Sequence, residues 1–384
     1  MNKYISTCAC FVVMLCLGGV YAWSVFAHEL RISVGFTNAQ AQLIFGTLIC
    51  VFPVSMIFVA KLAEKLSPRQ LITISALFYS CGYIIAGFSQ GSFLLVLMGI
   101  GVLGGIGTGF GYLVSITTPA RWFPEKSGSI TGIVTAGFGF AALILSYFAN
   151  KLLLQGYHVL EIFKVLGVVY GLLLLTMSFM VKSPDSISLS DKVKFRNLIN
   201  NKAFYKLLIG IFLGTFAGLL IIGNLRSIGA VHNVPNNTLI MGVSILAIAN
   251  FLGRISWGGI SDHLGANLTI FFSLALQGIA IYLLNYVAIT SETYLMLSLL
   301  VGFGFGGNFV LFAKKTAKVF GMDNLLAVYP YVFVGYAIGG IFGPATGGYL
   351  YDMYGNFDAA IYLAAFASMA GAAIFVFSRK QKVN

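Results

Sequence analysis

One arginine lies inside a long apolar stretch of this chain. Arg254 precedes Asp262, the next charged residue, by eight positions, which is about 12 Å along a helix. Placing an arginine in an apolar phase costs about 2.5–3.5 kcal/mol on insertion scales, so such a residue usually has a partner or a function. Its planar donor fork fits a carboxylate held by two hydrogen bonds. The position predicts an anion-binding residue. The alternatives are that its side chain extends to the inner membrane–water interface or that it pairs with Asp262.

A polar neighbour accompanies this arginine. Asn250 lies four residues before Arg254 and Trp257 three residues after it, so all three share one helical face. Asn250 is expected to orient Arg254 or to contact a ligand, and a simple hydrogen bond between helices is the alternative. As a neutral amide, it cannot transfer a proton.

The residue types needed for catalysis or metal binding are not clustered in apolar stretches. All eleven acidic residues and all four histidines fall in predicted loops or at predicted helix ends, and the five cysteines lack metal-ligand spacing. An enzyme would need such groups clustered. The sequence therefore predicts no catalytic residues, no metal, no cofactor and no proton relay inside the apolar stretches.

The composition shows what surrounds these residues. Hydrophobic residues make up 59% of the 384 positions and charged residues only 9%, whereas soluble domains have about a quarter charged. Most of the surface must therefore face lipid. A span needs about 20 apolar residues, and the chain has twelve such stretches: residues 4–26, 41–62, 70–89, 92–116, 128–150, 160–181, 204–224, 239–260, 267–289, 293–313, 326–350 and 357–378.

The basic residues indicate how these spans are oriented. With both termini in the cytoplasm, 18 of the 23 lysines and arginines fall on the cytoplasmic side and four on the outer side, while Arg254 lies within a span. Cytoplasmic loops are enriched in such residues. The net charge of +12 is therefore interpreted as a topology signal, and no nucleic-acid partner is expected.

The chain also divides into two similar halves. We predict an all-α membrane protein with a six-helix bundle over 1–181, a cytoplasmic linker over 182–203 and a second, pseudo-symmetric six-helix bundle over 204–384. The loops after the second and eighth spans share an acid, Glu64 or Asp262, four residues after a small residue, and the first loop adds Arg69. Parallel halves of this kind are typical of carriers with a site near midplane between the halves.

The loop after the eighth span, Gly258-Gly259-Ile260-Ser261-Asp262, resembles the loop signature of the major facilitator superfamily. A narrower resemblance covers nearly the whole chain. The sequence is similar to the oxalate/formate antiporter group, which is related to monocarboxylate transporters, at four segments: YAWSVF from Tyr21, GGIGTGFGY from Gly104, RWFPEKSG from Arg121 and NFLGR from Asn250. A fifth segment of resemblance extends from Gly302 to Phe309.

The resemblance implies roles for individual residues. Arg254 matches the arginine that binds the substrate carboxylate, and the loop residues Glu64, Arg69 and Asp262 are expected to gate the transporter. Tyr336 stands where oxalate carriers have a second cationic residue, a lysine, and Asn250 stands where proton-coupled monocarboxylate carriers often have an aspartate. Further expected substrate contacts are Tyr21, Tyr112, Phe305, Asn308, Phe309, Phe333 and Tyr336.

These observations together predict a transporter of small organic anions, mainly monocarboxylates, that works by rocker-switch alternating access. One buried cation matches one negative charge better than two. A proton or a counter-anion is the expected coupling partner if transport is active, and facilitated transport also fits. The expected form is a monomer in a bacterial inner membrane. The alternative is an exporter of a drug, a siderophore or another larger metabolite, which would tolerate the loss of Arg254.

Overall fold

The computed structural model describes residues 3–184 and 198–376, and within these ranges the chain consists of helices and connecting turns, with no strand. Twelve of its helical segments are long and apolar enough to cross a membrane. The predicted all-α fold with twelve spans is therefore confirmed. Most of the predicted linker, 182–203, lies outside the described residues, as do six of the basic residues assigned to the cytoplasmic side: Lys192, Lys194, Arg196, Arg379, Lys380 and Lys382.

The first six spans contain eight α-helices and three short irregular segments, one of which, the 3-10 turn Pro124–Lys126, precedes the seventh α-helix. A 3-10 segment, Gly18–Ala22, separates the first two helices, and a π-helical segment, Leu97–Gly104, separates the fifth from the sixth. The helices are α1 Lys3–Leu17, α2 Trp23–Ser33, α3 Asn38–Leu62, α4 Pro68–Gly87, α5 Phe93–Val96, α6 Gly105–Trp122, α7 Ser127–Leu154 and α8 Val159–Met180.

The last six spans are uninterrupted helices, several of which run beyond the predicted ends. The seventh span continues to Val231 and the tenth to Phe320, because helical hydrogen bonding does not stop where the sequence becomes polar. These helices are α9 Lys202–Val231, α10 Asn236–Leu264, α11 Ala266–Tyr286, α12 Ser291–Phe320, α13 Leu325–Tyr354 and α14 Asp358–Val376.

By its contacts the chain forms two compact units. The first unit contains Met1–Pro124 and Val134–Ser188, and the second contains Glu125–Ile133 and Leu189–Asn384. In this division the first turns of α7 group with the second unit, and the boundaries 1–181, 182–203 and 204–384 stay a prediction. Gly128, Ser129 and Gly132 accordingly contact residues of α10.

The first span is broken, whereas the sequence predicted one continuous helix over 4–26. The helix ends at Leu17, where Gly18 lies so close to Phe138 that a Cβ atom would overlap its carbonyl oxygen. The Tyr79 hydroxyl donates a hydrogen bond to the Cys16 carbonyl at 3.4 Å. Beyond the break, Trp23 Nε1 donates to the Ala41 carbonyl at 3.0 Å. Contacts from other helices therefore hold the irregular segment, and hydropathy alone could not reveal it.

Glycines allow α10 and α12 to pack closely around Arg254. A Cβ atom on Gly306 would lie 2.6 Å from the Asn250 carbonyl oxygen and 2.9 Å from the Arg254 amide nitrogen. Gly253 and Gly302 approach the partner backbone in the same way. Small residues commonly permit such contacts between membrane helices, and here they fix the backbone from which Arg254 projects.

Replacing Gly306 with alanine is expected to destabilise the second unit. The new methyl group would push against the α10 backbone, and overpacking of this kind costs about 1–3 kcal/mol. Gly348→Ala is the matched control, because a Cβ atom at Gly348 meets nothing within 4 Å. Melting temperatures of the purified variants test this: G306A should unfold below the native protein and G348A should not. Equal melting temperatures would contradict the packing described here.

Candidate substrate-binding site

Arg254 is completely buried in the second unit, with 0% of its surface exposed. Its Nε donates a hydrogen bond to Asn250 Oδ1 at 2.9 Å, as the shared helical face predicted. The guanidinium carbon lies 4.1 Å from the centre of the Phe309 ring on α12, a cation–π contact. The ring and the amide thus hold the guanidinium in place. Because both are neutral, these two contacts leave its charge of +1 unchanged.

Four of the predicted aromatic residues form one cluster with this arginine. The Phe309 ring packs edge-on against Phe305 at 5.3 Å and against Tyr336 at 5.5 Å between centroids. Phe333 stacks on Tyr336 at 4.8 Å with an angle of 19°. The structure therefore brings Arg254, Asn250 and aromatic residues of α12 and α13 together in the second unit.

Tyr329 is a member of this cluster that the sequence analysis missed. Its ring lies 5.3 Å from Phe333, and its hydroxyl donates to the Phe309 carbonyl at 3.4 Å. A tyrosine four residues before Phe333 lies on the same helical face, so helical spacing could have identified it.

Asn308 occupies a polar network between helices. Its Nδ2 donates to the Phe305 carbonyl at 3.1 Å and to Gln277 Oε1 on α11 at 3.3 Å. Gln277 Nε2 in turn donates to the Gly214 carbonyl on α9 at 2.9 Å. The described contacts of Asn308 are thus with its own helix and with α11, and its role toward substrate stays a prediction. Gln277 was missed, although a glutamine in the middle of an apolar span is itself a signal.

The two tyrosines predicted from the first half lie together in the first unit. Tyr21 is in the 3-10 segment and packs edge-on against Phe138 at 5.5 Å. Tyr112, on α6, is fully buried and contacts the same ring at 5.2 Å and Phe52 at 4.9 Å. They therefore share an aromatic cluster, while contact with substrate stays a prediction for both.

Asp262 lies at the centre of a polar cluster at one end of α10. Its carboxylate accepts hydrogen bonds from the backbone amides of Gly128 and Ser129, at 3.0 and 2.8 Å, and from the Ser129 hydroxyl. It also forms an ion pair with Lys314 on α12. Lys314 Nζ donates a further hydrogen bond to Ser261 at 3.1 Å. A carboxylate is favourable here because the first turn of a helix presents unsatisfied amide groups and a partial positive charge.

This cluster assigns Asp262 a definite set of partners. A pair of Asp262 with Arg254 is possible from the sequence, but in the structure Asp262 pairs with Lys314 and with the first turn of α7. Lys314 and Ser129 were missed as site residues. Lys314 is 52 positions and Ser129 is 133 positions from Asp262 in the sequence. One sequence does not match residues so far apart, so Lys314 is interpreted there only as a topology signal.

The corresponding loop of the first unit is more exposed. Glu64 lies in the turn after α3, and Arg69 is in the first turn of α4 with its guanidinium 4.1 Å from the Phe179 ring. Ser67, which stands where the loop signature has glycine, caps α4 by accepting a hydrogen bond from the Gln70 amide. The gating roles of Glu64, Arg69 and Asp262 stay predictions.

Comparison with known proteins identifies the family. The profile of the Major Facilitator Superfamily matches residues 5–325, which is most of the chain. The chain belongs to this superfamily. It is therefore a membrane transporter by family and by fold, as the loop signature and the twelve spans predicted.

Individual relatives of this transporter are distant. The oxalate:formate antiporter of Oxalobacter formigenes is 24% identical over 386 residues, covering 98% of this chain and 91% of the relative. Monocarboxylate transporter 12-B of Danio rerio is 23% identical, covering 98% and 88%. The resemblance to both groups is thus confirmed at low identity.

A solved structure shows the same fold. The Escherichia coli fucose:proton symporter superposes with a TM-score of 0.73, covering 98% of this chain and 100% of the other at 16% identity. At that identity the likeness establishes the fold alone.

One further residue of the transporter's RWFP segment has a structural role. Trp122 Nε1 donates to the Lys182 carbonyl at 2.8 Å, and Ser6 Oγ donates to the same carbonyl at 3.1 Å. Both contacts lie in the first unit and connect the end of α6 and the first turn of α1 to Lys182, two residues after α8. The tryptophan of this segment therefore fixes helix ends rather than contributing to the Arg254 cluster.

Proposed function

We propose that this transporter moves small organic anions, mainly monocarboxylates, and that Arg254 binds the carboxylate. The main support is one observation: a fully buried guanidinium held by a neutral amide and a phenyl ring. Such a group is costly in an apolar interior, and binding of an anion offsets that cost. The planar guanidinium presents parallel donors that match a carboxylate held by two hydrogen bonds.

The surroundings of Arg254 favour a small substrate with one charge. Phe305, Phe309, Phe333 and Tyr336 supply apolar surface next to the guanidinium, and Tyr336 stands where a second cation is expected in oxalate carriers. Their rings would contact the organic part of the substrate while excluding water. A dicarboxylate would leave its second charge against these rings, which is unfavourable. The names of the relatives, an oxalate:formate antiporter and a monocarboxylate transporter, agree with small organic anions as the substrate class; formate has one carboxylate, as proposed here, whereas oxalate has two.

Alternating access is part of the proposal. Carriers built from two parallel repeats expose a central site to each side in turn. In the second unit, the contacts of Asp262 with Lys314 and with the first turn of α7 would form in one state and break in the other. Glu64 and Arg69 are proposed to act in the same way in the first unit.

Uptake into proteoliposomes tests the substrate class. Labelled monocarboxylates, dicarboxylates of similar size and the neutral amides of the monocarboxylates should be offered separately to the native protein. We expect uptake of at least one monocarboxylate, slower uptake of dicarboxylates and none of the amides. Equal uptake of dicarboxylates would contradict the single-charge match. Failure of every acid, with transport of larger apolar compounds, would support the exporter alternative instead.

Replacing Asn250 with aspartate is expected to make uptake dependent on pH. At neutral pH the new carboxylate would be ionised and would pair with Arg254, so it would compete with the substrate. Protonation at acid pH removes that charge, so uptake by N250D, relative to the native protein at the same pH, should rise as the pH falls. Asn250→Leu is the control, because it removes the amide without adding a titratable group. A pH profile for N250D that parallels that of N250L would refute this prediction.

A further inference from the structure

An apolar groove crosses the surface of the first unit, well separated in sequence from the Arg254 cluster. It has a volume of about 920 Å³, within the range of small-molecule sites. Its walls come from α3, α4 and the helices of the fourth span, including Val54, Phe58, Leu77, Ile106 and Phe110. Phe58 and Leu77 are 58% and 53% exposed although they lie within spans, so the groove opens toward the bilayer.

The groove has the length of about one lipid leaflet. On α3 its wall extends from Cys50 to Leu62, a rise of about 18 Å along a helix. The hydrocarbon core of a bilayer is about 30 Å thick, so the groove covers slightly more than half of it. Its lining contains no charged side chain, and Ser55 is satisfied by donating to the Phe52 carbonyl at 2.8 Å. An apolar, uncharged groove of this length fits an acyl chain and not a dissolved anion.

One end of the groove is surrounded by basic residues. Leu62 and Leu66 line this end, and Lys61 and Lys65 directly precede them on exposed positions. Arg69 follows in the first turn of α4, stacked on Phe179. With Glu64 as the acid in the same loop, the formal charge of this end is +2. Basic residues at the membrane surface attract anionic headgroups.

We propose that this groove binds one anionic phospholipid, with an acyl chain along α3 and the phosphate headgroup near Lys61 and Lys65. The apolar length and the charged end point to the same ligand, because each matches one part of a phospholipid. The site is independent of the proposed substrate, since Arg254 belongs to the other unit. Failure of anion binding by Arg254 would therefore leave the lipid proposal unaffected, and failure of lipid binding would leave the Arg254 proposal unaffected.

Native mass spectrometry of the purified transporter tests the proposal. The native protein, equilibrated with equal amounts of phosphatidylglycerol and phosphatidylcholine, should retain one phosphatidylglycerol in preference. Two lysines near the membrane surface should favour the anionic phosphatidylglycerol over phosphatidylcholine by about tenfold or more. Lys61→Gln with Lys65→Gln should bring the preference close to one, whereas the control Lys151→Gln, at the other end of the first unit's spans, should keep it.

A second pair of variants tests the groove itself. Leu77→Trp fills it and should lower lipid retention at least tenfold, whereas Leu172→Trp, on a lipid-exposed position of α8 outside the groove, should not. Val54→Trp fills the groove from α3 and replaces L77W if that variant does not fold. Equal retention in the filled and control variants would overturn the proposal. The proposal would also be overturned if the native protein formed a dimer and L77W did not, because the groove would then bind a second copy of the chain.

Discussion

Replacing Arg254 with glutamine is expected to reduce uptake of the transported acid by roughly 30-fold to several thousand-fold. Removing one member of a buried, hydrogen-bonded charge pair costs about 2–5 kcal/mol, and each 1.4 kcal/mol corresponds to tenfold. Glutamine cannot supply the charge or the two parallel donors that a carboxylate would use. Arg254→Lys keeps the charge but not the planar fork, so it should also lose most of the activity. Initial rates in proteoliposomes measure both effects.

The matched control for this experiment is Arg226→Gln. Arg226 lies on α9 of the same unit, but it is exposed and donates to Asn236 at 3.3 Å. It should retain near-native uptake. Melting temperatures must show that R254Q is folded. A folded R254Q that transports within threefold of the native rate would assign Arg254 a structural role and favour the exporter alternative.

Replacing Asp262 with asparagine is expected to slow transport by about tenfold or more while leaving substrate binding intact. The substitution removes the ion pair with Lys314 and weakens the hydrogen bonds from Gly128 and Ser129. A hydrogen bond to a charged group contributes about 1.5–3 kcal/mol. Loss of such contacts shifts the balance between the two states of the transporter, and cycling slows when one state becomes rare.

Separate measurements of rate and binding distinguish this effect from damage to the site. D262N should show slower uptake with ligand-induced stabilisation close to that of the native protein. Asp352→Asn is the control, because Asp352 is an exposed acid in the last turn of α13. If D262N transports at the native rate, the cluster around Asp262 is a fixed structural contact and not a gate.

Hydropathy and the scarcity of charged residues were sufficient to predict the number of spans, because a bilayer requires apolar stretches of about 20 residues. They did not predict the break at Gly18–Ala22. That break depends on contacts of Gly18 with Phe138 and of Cys16 with Tyr79, which join residues 63 or more positions apart. The ends of α9 and α12 were also missed, since these helices continue through polar residues.

Local spacing predicted part of the site. The contact between Asn250 and Arg254 follows from a separation of four residues on one helix, and the structure shows it. The stacking of Arg254 on Phe309 joins α10 and α12 and could only be suggested by family resemblance. Lys314 and Ser129 could not be found at all, because nothing in one sequence links them to Asp262. Sequence thus identified the charged centre but not the residues that hold it.

Binding of a monocarboxylate to the purified protein tests the central claim most directly, because it separates recognition from transport. The acid identified by uptake, at about 100 times its dissociation constant, should stabilise the native protein by about 2.7 kcal/mol. Thermal unfolding should be followed with this acid and with its neutral amide, for the native protein and for R254Q. We expect that the acid stabilises only the native protein and that the amide stabilises neither. Equal stabilisation of folded R254Q by the acid would contradict it.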